Sequence, residues 1–165
     1  MLVRRSFMKE ETIQLLRYHN WANLTLLNRM KELPPETFTK KLGGPFPSIA
    51  ATLQHIYTVD QQWFNRINPE DLLNNNDLIS IEETVEKFLE LSENIINFIQ
   101  NNYDSLLEIH YVNSKNEQFR KSIDELVRHI TNHGTYHRGN ISTMIRQQGY
   151  EGISTDYIFF LRTNG

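Results

Sequence analysis

Apolar residues recur at three- and four-residue spacing through most of this chain, the repeat that puts side chains on one face of an α-helix. Ile13, Leu16, Leu24, Leu27 and Met30 carry the first run, which predicts a helix over about residues 9–31, stopped by Pro34 and Pro35. Leu42-Gly43-Gly44-Pro45-Phe46-Pro47 reads as a loop. Ser48 can then cap a second helix to about residue 67, closed by Asn68-Pro69. Asn74-Asn75-Asn76-Asp77 is polar loop, and Ser80-Ile81-Glu82-Glu83 has the Ser-x-x-Glu form of a capping box. It opens a third helix to about residue 102, with Val85, Phe88, Leu89, Ser92, Ile96 and Ile99 along one face.

The period changes over residues 106–121. Leu107, Ile109 and Tyr111 alternate with polar residues, the stretch from Asn113 to Asn116 is turn-like and Phe119 follows, which fits a short hairpin or extended loop. Ser122-Ile123-Asp124-Glu125 is a second capping box, opening a fourth helix over residues 124–147 that Gly149 terminates. Tyr157, Ile158, Phe159, Phe160 and Leu161 make the tail too apolar to be left in water, so it should dock on the bundle or on a partner. These elements predict an all-α fold, a four-helix bundle with a short extended or hairpin segment between the third and fourth helices. The connections exceed the ~2–8 residues usual between antiparallel neighbours, so simple up-down-up-down order does not follow.

Composition narrows the chemistry. The 165 residues suit a single domain with a core of its own, and the absence of cysteine excludes disulfides and thiolate metal sites. Any metal must be held by His, Asp or Glu. A net charge of −3, with Arg4, Arg5 and Lys9 too few to form a basic face, gives no reason to expect nucleic acid as a partner. The first residues lack the apolar run of a signal peptide, and no stretch approaches the ~20 apolar residues of a membrane span. The expectation is a soluble, cytoplasmic protein.

The histidines are the first candidates for metal ligands. His129, His133 and His137 are spaced by four within the fourth helix; at 1.5 Å rise per residue the outer two lie ~12 Å apart, too far for all three to chelate one ion. Either His129 with His133 or His133 with His137 makes the pair. The stripe of Leu126, Val127, Ile130, Gly134, Ile141, Met144 and Ile145 centres about 70° round from His133 toward His137, whereas His129 lies ~110° from its centre. Periodicity therefore prefers His133 with His137.

A third ligand must come from a facing helix. His55 is the one histidine in the middle of another predicted helix with apolar neighbours, although it lies roughly 100–120° from the centre of the stripe Ile49, Leu53, Ile56, Trp63 and Ile67. That places it at the edge of the core, at the lip of a cleft. His19, amid polar residues, and His110, in the hairpin, compete less well. Trp21 and Trp63 read most simply as core aromatics, and Asp60, on the second helix's stripe, needs a partner.

Tyr18-His19-Asn20-Trp21-Ala22-Asn23, His55-Ile56-x-x-x-Asp60-x-x-Trp63, the block from His129 to Asn140 and Asp156-Tyr157-x-x-Phe160 together resemble the DinB-like group of the DinB/YfiT superfamily, a set of proposed metalloenzymes. The likeness runs in order over nearly the whole chain. It implies a four-helix bundle with a mononuclear divalent site on His55, His133 and His137, zinc or nickel as the usual metal, and often a homodimer. Relatives of this kind include thiol-dependent S-transferases and a maleylpyruvate isomerase that uses a low-molecular-weight thiol.

The expected function is thus that of a metal-dependent enzyme, an S-transferase or hydrolase acting on small electrophiles, with Tyr57, Asp60 and Tyr136 as candidate acid-base or supporting groups. Its expected partners are a small substrate and a small thiol. Two other readings stand beside it: a non-catalytic bundle in which the metal supports a fold or a bound ligand, and a metal-free bundle with core histidines.

Overall fold

The computed structural model describes residues 2–70, 72–73, 77–78, 80–105, 108–113 and 115–163, with side chains from residue 6 onward except residue 105. Asn74, Asn75, Asn76 and Leu107, read above as loop and as part of the alternating segment, lie outside the described residues. The chain forms α1 (Leu2–Lys31), α2 (Glu36–Thr39), α3 (Ile49–Ile67), α4 (Ile81–Asn102), β1 (Ile109–Val112), β2 (Gln118–Lys121), α5 (Ile123–Gln147) and α6 (Tyr157–Thr163). The long helices α1, α3, α4 and α5 make a four-helix bundle, and the β1–β2 hairpin joins α4 to α5.

Serine caps set three of the four starts. Ser48 Oγ accepts from the Ala51 N–H, Ser80 Oγ from Glu83 and Ser122 Oγ from Glu125, each satisfying an N–H that the helix leaves without a partner. At Ser122 the box is reciprocal: its N–H donates back to the Glu125 carboxylate at 3.0 Å, which holds that carboxyl below its ordinary pKa. α1 begins at Leu2 rather than near residue 9, because Ser6, Phe7 and Met8 extend it as an exposed turn without an apolar face to mark it. One helical turn, α2, follows Pro35, and the apolar tail is helical over α6. The tail docks in part, Phe160 and Tyr157 packing on Tyr18 and Trp21 of α1, while Ile158 and Phe159 on its other side stay exposed.

In the hairpin, Ile109 pairs with Lys121 and Val112 with Gln118. Asn113 Oδ1 accepts from the N–H groups of Lys115 and Glu117, while Asn116 takes the left-handed conformation that asparagine tolerates (φ 64°). Strand alternation puts Tyr111 and Phe119 on one face, stacked at 5.5 Å, and His110 and Arg120 on the other.

Packing, not chain order, sets the neighbours. α1 lies against α4 and α5, and α3 against α5 and, more lightly, α4, so the consecutive long helices α1 and α3 face each other across the bundle. The core between them is mostly aliphatic, with Leu26, Leu27, Ile49, Leu53, Ile56, Ile99, Val127, Ile141 and Ile145 fully buried. α5 touches α1 on one side and α3 on the other, so its two buried flanks face different partners. Polar groups are buried on both flanks.

Candidate metal centre

On the flank toward α3, His133 and His137 stand one turn apart on α5 and His55 projects from α3 to meet them. One nitrogen from each ring lies within 4.8 Å of the others, and the Nε2 atoms of His55 and His133 are 3.1 Å apart. Two nitrogens each ~2.1 Å from a tetrahedral zinc ion lie about 3.4 Å apart, so the spacing is close to that of shared coordination. Ring centroids are separated by 4.4 Å for His133 with His137, 4.7 Å for His55 with His137 and 5.0 Å for His55 with His133. Phe46, from the loop before α3, packs against His55 and His137 at 4.9 and 5.2 Å and shields one side. His55 and His133 are half-buried and His137 is buried.

Electrostatics keep this cluster ready for a cation. Burial, reinforced by the neighbouring His137 ring, pushes His133 down to about 4, with the charge of Asp60 opposing the shift. His137 is lowered for the same reason, burial first and the nearby His55 second. Both rings are therefore neutral near pH 7 and carry a free lone pair, the form a metal requires. His133 Nδ1 and His137 Nδ1 are buried and find no hydrogen-bond partner among the described residues. Three convergent imidazoles fit a borderline-soft divalent ion. On donor type, spacing and protonation, the three histidines could hold one.

The other sequence candidates are distributed around this cluster. Tyr136 is on the solvent side, its ring 5.0 Å from that of His137. Tyr57 is buried with its ring against Phe88 of α4, and burial raises its pKa. Asp60 is buried and has the partner its position demanded: His19 Nε2 lies 2.8 Å from its Oδ2. His129 is exposed, as its place on the wheel indicated, with its ring 5.1 Å from that of Trp63.

His19 is what the sequence reading undervalued. Its polar neighbours ranked it low as a ligand, and it is buried on the flank of α5 toward α1, in a network built around Arg138. Arg138 Nη1 donates to Asn23 Oδ1 at 2.8 Å and lies 3.3 Å from His19 Nδ1, while His19 Nε2 lies 2.8 Å from Asp60 Oδ2 and 3.1 Å from Asn23 Nδ2. Arg138 Nη2 donates to Thr135 Oγ1, and the guanidinium lies over the Tyr18 ring at 5.7 Å. Gly134 makes room for this, because a Cβ there would lie 2.3 Å from His19 Cε1 and 2.6 Å from Arg138 Nη1. A glycine on the stripe with an arginine four residues on was the available signal.

The DinB family model matches residues 8–164. The chain is also 35% identical over 164 residues to Protein DinB of Bacillus subtilis (strain 168), an alignment covering 93% of this chain and 95% of that protein. By both measures, this chain belongs to the DinB family.

Proposed function

We propose that His55, His133 and His137 hold one divalent ion, zinc or nickel, and that the protein is a metal-dependent enzyme using a small thiol or water against a small electrophilic substrate. The observation that carries this is the convergence of three imidazoles, two of them held neutral by burial. When bound, such an ion supplies the Lewis acidity that makes a nucleophile of a thiol or water near neutral pH. The protein's own residues supply the rest. Phe46 keeps water from one side of the imidazoles, and the charge of Asp60 reaches His133 without contact, favouring positive charge there.

Tyr136, beside His137 with much of its side chain in solvent, is the best placed of the three candidate acid-base groups. Tyr57 and Asp60 are the weaker candidates, since their contacts are with Phe88 and His19. A small-molecule substrate and a second copy of the chain complete the reading of its partners, and a cytoplasmic location that of its setting. No helix among the described residues is long and apolar enough to cross a membrane.

The test begins with elemental analysis of protein purified without an affinity tag. One ion per chain in the wild type, lost in His133→Ala, supports the site; full occupancy in the variant overturns it. The loaded protein is then screened with small thiols and electrophiles, and no turnover across the panel shifts the reading to a non-catalytic metal-binding bundle. That second reading draws on one feature of the geometry, that the three histidines tie α3 to α5. Chelation separates the two, since a structural ion's binding energy is folding energy, whereas a catalytic ion in a self-sufficient bundle leaves the fold standing.

A further inference from the structure

A line of rings runs from the triad to a cation. The ring of His133 lies 6.1 Å from that of His129, His129 lies 5.1 Å from Trp63, and Trp63 lies 5.1 Å from Tyr111 of the hairpin. Over this last pair sits Arg66, its guanidinium carbon 4.4 Å from the centre of the Trp63 ring and 5.3 Å from that of Tyr111. Trp63, Arg66 and Tyr111 are half-buried and His129 is exposed, so the line lies along the surface between α3, α5 and the hairpin.

Arg66 is the one described arginine whose guanidinium lies over two aromatic rings. Arg29 and Arg120 pair with glutamates, and Arg138 is consumed by the buried network. Arg66 forms no ion pair or hydrogen bond with any described residue. Of the acids of the adjoining hairpin, Glu108 is engaged by His110 and Arg120 at 3.1 and 3.6 Å on the face opposite Tyr111, and Glu117 by Asn113 in the turn. A guanidinium packed against aromatic faces keeps its in-plane N–H groups available, and that fork matches a carboxylate or phosphate in bidentate geometry.

We propose that Arg66, seated on Trp63 and Tyr111, holds the anionic end of an elongated ligand whose other end lies at the histidine triad. Trp63 is eight residues beyond His55, ~12 Å along α3, so the ligand spans on the order of 10–15 Å. The rings of Trp63 and His129 lie between the two ends, which suits a middle that packs on ring faces. The substrate class is therefore a long carboxylate or phosphate, with the group that reacts at the end remote from its charge. This assignment rests on the metal reading of the triad.

The test uses zinc-loaded full-length protein, with occupancy measured first, and isothermal titration calorimetry with three probes. These are 8-mercaptooctanoate, 8-mercapto-1-octanol and the short 3-mercaptopropionate, all thiols that ligate zinc. The wild type should bind the long carboxylate at least tenfold more tightly than the alcohol of equal length. Arg66→Ala should abolish that preference without weakening the alcohol, Arg66→Lys should retain part of it, and the short carboxylate should be indifferent to both changes. If Arg66 only pinned the hairpin, its loss would weaken both long probes alike, which overturns the proposal. Equal binding of the two long probes by the wild type, or binding of neither, also overturns it. A wild type that takes up no zinc overturns the triad reading and this proposal together, whereas zinc uptake without discrimination overturns this proposal alone.

Discussion

The two flanks of α5 bury similar chemistry to opposite effect. Toward α1, an arginine, a histidine, an asparagine and an aspartate from three helices satisfy one another, with Arg138 bonded to His19, Asn23 and Thr135 and His19 to Asp60. Toward α3, three histidines converge and the buried Nδ1 atoms of His133 and His137 have no described partner. The first arrangement is nearly closed, although Asp60 Oδ1 and Arg138 Nε are without described partners. The second is open. Burial of a polar residue therefore does not by itself mark a functional site; what marks it is the convergence of neutral ligand atoms from two helices on one point.

The sharpest way to break this contrast is to open the closed side. Arg138→Ala removes a fully buried cation and leaves His19, Asn23 and Thr135 short of a partner, so a loss of about 3–5 kcal/mol is expected in urea denaturation. Zinc affinity of the fraction still folded should change far less than stability, and a large loss of zinc with little loss of stability would reverse the roles of the two flanks.

Gly134→Ala probes the same side with a single carbon. A Cβ pressed against His19 and Arg138 should cost about 1–3 kcal/mol by overpacking, read as a lower urea midpoint at unchanged slope.

On the open side the expected stability change is smaller. Metal-free His133→Ala should unfold within about 1 kcal/mol of the metal-free wild type, because the lost packing is offset by removal of an unsatisfied buried nitrogen. A much larger loss in thermal or urea unfolding would make His133 part of the scaffold.

The smallest effect is in pH. A histidine whose folded pKa lies near 4 against an unfolded value of 6.5 binds fewer protons folded than unfolded over that window. Its contribution is present above about pH 6.5 and fades as pH falls toward 4, with His137 acting in the same direction. Metal-free wild type should therefore lose more stability between pH 7 and pH 5 than His133→Ala does, and parallel urea midpoints for the two would contradict the neutral triad.

Where helices begin and end was legible locally. Ser48, Ser80 and Ser122 cap the helices that their positions announced, and the turn at Asn113 and Asn116 closes the hairpin, because each device acts through bonds within a few residues. Two of the three histidines were legible too: His133 and His137 follow from spacing on a stripe, and His55 lies at the edge of the core as its wheel position indicated. The start of α1 was not, since a helical turn in water carries no apolar period.

Nor was His19. Its partners Asp60 and Arg138 are 41 and 119 residues away, and nothing near it in the chain distinguishes a buried histidine from a solvated one. The same holds for Arg66, whose seat joins α3 to a hairpin more than forty residues on. Residue type and short-range periodicity specify the caps, the apolar faces and the chemistry that each position can offer. Which polar groups end up satisfied and which remain available depends on the neighbours that packing brings together, and those neighbours are chosen by the helix order, with α5 set between α1 and α3.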